Sequence, residues 1–340
     1  MDGLAKDNEA GVEDDFDTIA RLASDFRASR VVLTAVELNL FSLLGTERLQ
    51  TETLARRAHA QERGVELLAN ALVGLGLLSL DEHGYACTPS SRRYLDETSP
   101  DYRGRVIRLA SWWWTRWSDL TDIVRNGNAP DGPPTEMLED FTLAMQQGKP
   151  RAGSLLAEKL DLHGVSRIVD LGGGPGAFAE ALAATLPEAQ IVVVDRPEVI
   201  DIARRHLPAS LLDRRIVFVA HDFVNEGIPL AGDAPAPYDL AILSSVVHLL
   251  GEEENAALLT RVRDALAPGG RIAIRDFLVD EKGVAPLDAA LLAVTMLVSS
   301  RRGRCYSFAR IKEWLHAAGF GEVEKSEFDG PAVLITARRA

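Results

Sequence analysis

One short stretch of the chain constrains its fold more than any other. Residues 168–171 form an apolar run interrupted only by Asp170, and Gly172, Gly174 and Gly176 follow it directly before a helix-forming segment. The order predicts a strand, a tight turn and a helix, because glycines let the backbone and a helix N-terminus approach a ligand closely in doubly wound α/β domains. The spacing G-x-G-x-x-A from Gly172 also fits a dinucleotide fingerprint, so the loop alone leaves NAD and other adenosine cofactors open.

Two further acids lie at the ends of apolar runs that predict strands at 191–195 and 216–220. Asp195 comes roughly 20 residues after the loop, where ribose hydroxyls lie in this architecture, so we predict that it binds ribose. The alternative is a cap for the helix that begins at Pro197. Asp222 precedes the aromatic Phe223, and an acceptor beside a flat apolar ring suits adenine. The alternative for Asp222 is an ordinary loop residue.

The later segments predict a sheet that is not purely parallel. A strand, a helix end with a tight turn, and another strand are followed by two apolar runs joined through Asp329-Gly330, which is a strong hairpin signal. A parallel sheet that ends in an antiparallel hairpin differs from the usual six-stranded dehydrogenase domain. The segments are 238–243, 265–270, 271–274, 322–328 and 332–337.

Composition excludes several classes of protein. The 340 residues are 46% hydrophobic and 26% charged, which is typical of a soluble globular protein long enough for two domains. No charge-free apolar stretch approaches 20 residues or so and the N-terminus is acidic, so we expect a cytoplasmic protein without a membrane partner. Two cysteines indicate neither a disulfide scaffold nor a zinc site, and no metal is expected. The net charge of −13 argues against a nucleic-acid partner.

Three regions are predicted along the chain. Residues 1–15 are rich in Asp and Glu and are expected to be a disordered lead-in. The Pro- and Gly-rich loop 126–134 marks the passage from a mainly helical domain at 16–135 to an α/β domain at 136–340.

The helical domain has the outline of a winged helix. Helix-period apolar segments lead to two short strands around a turn, which indicates either DNA binding or a packing and dimerisation module. The helix that would read bases opens with Glu62, Arg63 and Glu66 and has no basic stripe, so its charge favours the second interpretation. The segments are helices at 31–44, 51–57 and 65–78, and strands at 78–80 and 85–88.

Taken together, these motifs resemble a known family. The chain from about Asp17 onward is similar to the S-adenosylmethionine (SAM)-dependent small-molecule O-methyltransferases of the plant caffeate type and their bacterial natural-product relatives. The resemblance implies a Rossmann-like methyltransferase sheet, SAM as cofactor with S-adenosylhomocysteine as product, and a winged-helix-like domain that forms a homodimer. The matching residues are 35–41, 75–78, Phe141, Ala144, Met145, the glycine loop, Asp195, 221–223, His248 and 266–270.

The resemblance also implies how the chemistry is carried. His248 would be the general base, since a phenol has an ordinary pKa near 10 and needs proton removal as it attacks, and an imidazole with an ordinary pKa near 6.5 suits that task. Without the resemblance, His248 would read equally well as a helix-cap or surface residue. Counting through the matched Pro-Gly-Gly turn places Asp276 where it holds the imidazole tautomer.

Two positions depart from the family pattern. Cys305 stands where the family commonly has Glu, and Leu249-Leu250 stands where His is often followed by Asp-Trp. The predicted cofactor site comprises Asp170, Gly172, Gly174, Gly176, Asp195, Arg196, Asp222, Phe223 and Ser244. The predicted substrate site comprises Trp113, Phe141, Met145, Met296 and Cys305.

Three functions stay open at this point. The first is O-methylation of a small aromatic or polyketide-like acceptor, the second is C- or N-methylation or SAM use without methyl transfer, and the third is a SAM-sensing winged-helix regulator.

The crowded tryptophans at 112–114 and 117 favour a ligand or partner contact, because three consecutive side chains cannot all face one core. The alternative is packing at a membrane or dimer surface.

Overall fold

The computed structural model describes residues 16–127, 132–146, 149–207, 215–230 and 236–340. The predicted lead-in at 1–15 and part of the loop at 126–134 lie outside the described residues. The chain divides into two compact units, Met1–Trp112 and Trp113–Ala340. The domain limits of 16–135 and 136–340 remain a prediction.

The first unit is mainly helical and carries one small hairpin. Strands β1 and β2 pair antiparallel around the turn between Asp81 and Gly84, as the winged-helix outline predicts. The elements are α1 (Phe16–Ser24), α2 (Phe26–Glu37), α3 (Leu40–Leu44), α4 (Thr51–Arg57), α5 (Glu62–Gly74), β1 (Leu78–Asp81), β2 (Gly84–Cys87), α6 (Pro89–Leu95) and α7 (Gly104–Ser118), which runs across the division.

The predicted helix over 31–44 is two helices in the structure. Asn39 has φ 55° and takes a left-handed conformation between α2 and α3, which turns the chain. The break lets Leu40, Phe41 and Leu44 enter the core of the unit, where each is no more than 1% exposed.

The second unit is an α/β domain. Its elements are α8 (Leu120–Asn126), a 3-10 turn (Thr135–Met137), α9 (Leu138–Gln146), α10 (Lys149–Lys159), β3 (Arg167–Leu171), α11 (Ala177–Thr185), β4 (Gln190–Asp195), α12 (Pro197–His206), β5 (Ile216–Ala220), β6 (Tyr238–Ser244), a second 3-10 turn (Val247–Leu249), α13 (Glu252–Ala265), β7 (Leu266–Asp276), α14 (Leu287–Ser299), α15 (Phe308–Ala317), β8 (Phe320–Glu327) and β9 (Val333–Arg339).

These strands form one seven-stranded sheet with the order β5-β4-β3-β6-β7-β9-β8. Strands β3 to β7 are parallel, and β9 and β8 close the sheet as an antiparallel hairpin. After β3 the chain adds β4 and β5 on one side, and it then crosses to add β6 and β7 on the other. Ligands of open α/β sheets bind beyond the strand ends at such a reversal, which here lies between β3 and β6.

Both faces of the sheet are covered by apolar side chains. One core joins the sheet to α10 and α11, and the other joins it to α13 and α15. The near-continuous apolar sequences of the central strands follow from this double burial. Among the described residues, the structure has no helix that combines the length and the apolar character needed to cross a membrane.

Only part of the prediction for the segment 265–270 is confirmed. A helix, α13, does end at Ala265, but in place of a tight turn β7 begins at Leu266 and runs through Gly269, which has φ 74°. The pairing with β6 shifts register between Tyr238 and Leu240, so the Pro-Gly-Gly sequence is accommodated as an irregularity inside the strand.

Candidate functional site

The glycine loop lies at the carboxyl end of β3, at the reversal of strand order. Gly172, Gly174 and Gly176 have φ of 73°, 56° and 87°, a region that residues with a β-carbon rarely adopt. A Cβ on Gly172 would lie 2.8 Å from Cγ2 of Val246, so this position also lacks room for a side chain. The loop therefore presents bare backbone at the N-terminus of α11, where Gly176 is the N-cap.

Asp170 lies beneath this loop and is fully buried. A Cβ on Gly173 would come within 2.6 Å of its Oδ2, so the loop closes directly over the carboxylate. Asp170 thus supports the loop from inside the sheet.

Asp195 connects the end of β4 to the same loop. Its Oδ2 accepts a hydrogen bond from the backbone N of Gly174 at 2.9 Å, and its Oδ1 accepts one from the backbone N of Arg196 at 2.8 Å. The N-cap of α12 is Arg196 and not Asp195, and the Arg196 side chain makes no capping hydrogen bond. The side chain of Arg196 is exposed.

Asp222 and Phe223 have different surroundings. The Asp222 carboxylate accepts from the side chain of Asn225 at 2.8 Å and from the backbone N of Val224 and of Asn225 at 3.1 Å each. The side-chain bond foremost, and the two backbone bonds with it, hold the pKa of Asp222 below the ordinary value. These contacts all lie within the loop of Asp222, and its contact with adenine stays a prediction. The Phe223 ring is buried, and its Cζ lies 3.7 Å from where a Cβ on Gly172 would be.

Ser244 ends β6 at the level of the glycine loop. Leu171 pairs with Leu243, so the next residues, Gly172 and Ser244, lie side by side at the reversal. Ser244 is 4% exposed, and its hydroxyl has no hydrogen-bond partner within the described part of the chain.

His248 and Asp276 form a buried pair at the carboxyl ends of β6 and β7. Nδ1 of His248 lies 2.5 Å from Oδ1 of Asp276, and the backbone N of His248 donates to Oδ2 at 3.3 Å. The residues are 7% and 1% exposed. Because a carboxylate only accepts, the imidazole donates from Nδ1 and keeps Nε2 as an acceptor.

Cys305 is 3% exposed and lies in the electrostatic field of Asp276. Burial, with a smaller contribution from Asp276, raises the pKa of its thiol to about 12. The thiol is therefore neutral at physiological pH, so the side chain at this position contributes no second negative charge beside the His248–Asp276 pair.

The remaining predicted substrate residues lie on three helices. Phe141 is half-buried and Met145 is 39% exposed, both on α9, while Met296 is buried on α14, which contacts the turn that carries His248. Trp113 packs against a small cluster of Ile123 and Val298, so an apolar contact within the chain covers part of its ring.

Four residues near His248 were not singled out from the sequence. A Cβ on Gly303 would lie 2.7 Å from the carbonyl oxygen of His248, which makes Gly303 a close backbone contact. Ser245 precedes the turn and accepts a hydrogen bond from Arg275, and the Phe277 ring centroid lies 6.2 Å from that of His248. The sequence did contain one signal for Arg275, because a charged residue in an apolar strand, directly before the predicted Asp276, is unusual.

Comparison with family models matches both parts of the chain. Residues 131–321 match the O-methyltransferase domain, and residues 20–97 match the O-methyltransferase dimerisation domain.

Individual relatives extend over almost the whole chain. The tetracenomycin polyketide synthesis 8-O-methyl transferase TcmO of Streptomyces glaucescens is 31% identical and the match covers 94% of this chain and 96% of that protein. The 3-hydroxy-5-methyl-1-naphthoate 3-O-methyltransferase of Streptomyces sahachiroi is 31% identical, covering 91% of each. Human N-acetylserotonin methyltransferase, solved in complex with SAM, superposes with a TM-score of 0.83 at 27% identity over 97% of this chain and 100% of that one.

Proposed function

Since the chain belongs to the O-methyltransferase family, we propose that it moves the methyl group of SAM to a hydroxyl of a small aromatic or polyketide-like acceptor, with His248 as general base. The resemblance inferred from the sequence motifs is confirmed for the family and for the fold. The site assignments that follow are our proposal.

The glycine loop fits a nucleoside cofactor. Gly172 and Gly174 leave backbone without side chains at the strand reversal, and Phe223 provides a buried apolar ring beside Gly172. Asp195 already holds the loop through Gly174, and because a carboxylate oxygen can accept more than one hydrogen bond, a ribose hydroxyl can bind to the same side chain. The buried Ser244 hydroxyl offers a further polar group at the same edge.

When bound, SAM supplies an electrophilic methyl group on a sulfonium. The chain's own task is then to bring the acceptor oxygen in line and to remove its proton. Nε2 of His248 would take the proton of the acceptor hydroxyl as its oxygen accepts the methyl group, and S-adenosylhomocysteine would be the product that SAM leaves. Asp276 faces the other ring nitrogen and stabilises the imidazolium that results.

The single observation that carries this proposal is the 2.5 Å contact between Nδ1 of His248 and Oδ1 of Asp276. It leaves one ring nitrogen free to act as a base, and both residues are shielded from water, which strengthens their interaction. The acceptor class follows from the relatives, whose names state O-methylation of a polyketide and of a hydroxynaphthoate.

We also propose that the protein is a homodimer. The match to a dimerisation domain over residues 20–97 supports this assembly. The acidic start of α5 gives no support to a nucleic-acid partner.

The test is methyl transfer from isotopically labelled SAM to a panel of phenols, ketoacids and macrocycles, with product masses recorded. A gain of one labelled methyl, located on oxygen by fragmentation, is the expected result. Product methylated on carbon or nitrogen would refute the proposed acceptor atom. Calorimetry that detects NAD binding and no SAM binding would refute the cofactor.

A further inference from the structure

The turn that presents His248 begins with an unusual backbone conformation. Ser245 follows β6 directly and has φ 61°, a left-handed conformation that disfavours residues with a β-carbon. Three residues later the chain reaches His248. The position of the imidazole therefore depends on how Ser245 is held.

Arg275 of the neighbouring strand holds Ser245 from both its backbone and its side chain. The backbone N of Ser245 donates to the carbonyl oxygen of Arg275 at 2.8 Å, and Nη1 of Arg275 donates to the Ser245 hydroxyl at 2.8 Å. The second bond is a side-chain clamp on a residue that would otherwise relax toward an ordinary conformation.

The surroundings of Arg275 are unfavourable for a cation. Its guanidinium carbon lies over two rings, 4.8 Å from the centroid of Phe277 and 5.9 Å from that of Phe328. Its Nε is buried without a hydrogen-bond partner among the described residues, and burial lowers its pKa although Asp276 and Asp329 act in the opposite direction. An apolar residue would fill this space at lower desolvation cost, so stability alone does not account for arginine here.

Phe277 links the same arginine to the imidazole. Its ring centroid lies 6.2 Å from that of His248 and 4.8 Å from Cζ of Arg275. The backbone N of Phe277 also donates to Oδ1 of Asp276 at 2.8 Å. Arg275 thus adjoins both the turn before His248 and the ring beside it.

We propose that Arg275 is a positioning residue for His248, which acts by clamping Ser245 in its left-handed conformation. The kinetic consequence rests on the proposed function, in which His248 is the base. The structural consequence, a fixed orientation of the imidazole, does not rest on it.

Two substitutions at Ser245 distinguish the loss of the clamp by Arg275 from a general disruption of the fold. Ser245→Ala removes the hydroxyl that Arg275 holds and keeps the β-carbon, so the left-handed conformation loses its support. Ser245→Gly removes the hydroxyl and also the conformational cost of positive φ, because glycine adopts positive φ readily. We expect Ser245→Ala to lower kcat about tenfold with little change in KM, and Ser245→Gly to stay within about twofold of the unmodified protein.

Arg275→Met should reproduce the loss seen in Ser245→Ala, and adding Ser245→Gly to it should restore most of the rate. The matched control is Arg167→Met, since Arg167 also stacks on a ring, 5.6 Å from the Tyr238 centroid, at the start of β3. That variant should lower the melting temperature without lowering kcat. Every variant is first checked for one-to-one binding of S-adenosylhomocysteine, which requires a folded cofactor domain.

Nuclear magnetic resonance can report on the His248 ring in protein to which no acceptor has been added. In protein with ¹⁵N-labelled histidine, the ring signals that vanish in His248→Ala are assigned to His248. We expect those signals to shift or broaden in Ser245→Ala and Arg275→Met, and to keep their positions in Ser245→Gly.

The outcomes separate this inference from the proposed function. If no panel compound is methylated, the proposed function fails while the ring signals still report on the clamp. If Ser245→Ala and Ser245→Gly behave alike in both rate and ring signals, or if glycine fails to rescue Arg275→Met, the clamp is refuted whatever the activity.

Discussion

Nδ1 of His248 and Oδ1 of Asp276 lie 2.5 Å apart, although 28 residues separate them in the chain. The pair forms because β6 and β7 are neighbours in the sheet and both end at the same edge. Asp276 is the last residue of β7, while His248 reaches it from the turn after β6. The two positions predicted from sequence for catalysis are therefore adjacent in the structure, and their catalytic role is open to direct test.

His248→Ala should separate binding from turnover. We expect SAM affinity to stay near that of the unmodified protein, because in the proposed function the imidazole contacts the acceptor and not the cofactor, while kcat falls by roughly 10²–10⁴-fold as general-base removal usually does. Calorimetry with SAM and initial rates on the panel acceptor measure the two quantities. Asp276→Asn should give a smaller loss, because it misorients the ring without removing it. Full activity of His248→Ala on the true acceptor would show that proximity to the sulfonium suffices.

Gly172→Ala should impair cofactor binding more than a comparable glycine change elsewhere. The new Cβ would lie 2.8 Å from Cγ2 of Val246 on a residue with φ 73°, so the loop must shift. Gly269→Ala is the matched control, because Gly269 has φ 74° and a Cβ there would meet nothing within 4 Å. We expect Gly172→Ala to weaken SAM binding at least about tenfold, and Gly269→Ala only to lower stability by about 1–2 kcal/mol. Equal SAM affinity in the two variants would contradict the assignment of the loop.

Apolar runs bounded by glycine or charge predicted the central strands to within a residue. Predicted strands at 168–171, 191–195 and 216–220 correspond to Arg167–Leu171, Gln190–Asp195 and Ile216–Ala220. A fully buried strand leaves a continuous apolar signature, which makes its limits readable. The break at Asn39 was not predictable in the same way, because a single left-handed residue inside a periodic segment changes direction without changing the pattern.

The site could be predicted only where one residue carries the signal. The glycines at 172, 174 and 176 and Asp195 at the end of β4 stand out because such residues interrupt an otherwise apolar sequence. The contact between Arg275 and Ser245 joins residues 30 apart, and it depends on the register of β6 and β7, which no local pattern encodes. The neutral state of Cys305 likewise follows from burial in the folded chain rather than from its neighbours in sequence.

The buried thiol of Cys305 should make stability depend on alkaline pH. Its pKa is raised from 9.0 to about 12, so between these values the unfolded chain has lost the proton that the folded chain retains. The unfolded state then binds fewer protons, and the free energy of unfolding falls as pH rises. For this one group we expect a loss of about 1.4 kcal/mol between pH 8 and pH 10.

Urea unfolding of the unmodified protein and of Cys305→Ala at both pH values measures this contribution. Cys87 and Tyr306 have pKa values that burial raises to about 11 and about 12, and both are present in either protein. Their contributions cancel in the comparison. The free energy of unfolding changes between the two pH values with one slope for each protein, and the difference between these two slopes is due to Cys305. Parallel slopes would show that the thiol ionises as easily in the folded protein as in the unfolded chain.

Helix α1 carries an apolar face that the described part of the chain leaves exposed. Phe16, Ile19 and Leu22 of α1 recur at three-residue spacing and are 77%, 58% and 66% exposed, and the helix has no buried residue. Such a face is stable in water when a partner covers it, and the match of residues 20–97 to a dimerisation domain points to a second copy of the chain.

Replacing all three residues of this face by serine should therefore convert a dimer into a monomer. Analytical ultracentrifugation at micromolar concentration measures the state, and Val124→Ser is the control, because Val124 is a single apolar residue that is 66% exposed on α8. We expect the control to sediment as the unmodified protein does. Since serine removes apolar contact without adding charge, loss of the dimer in the triple variant would be due to the lost burial. A triple variant that remains dimeric would show that another surface holds the two copies together, and an unmodified protein that is monomeric would contradict the proposed assembly.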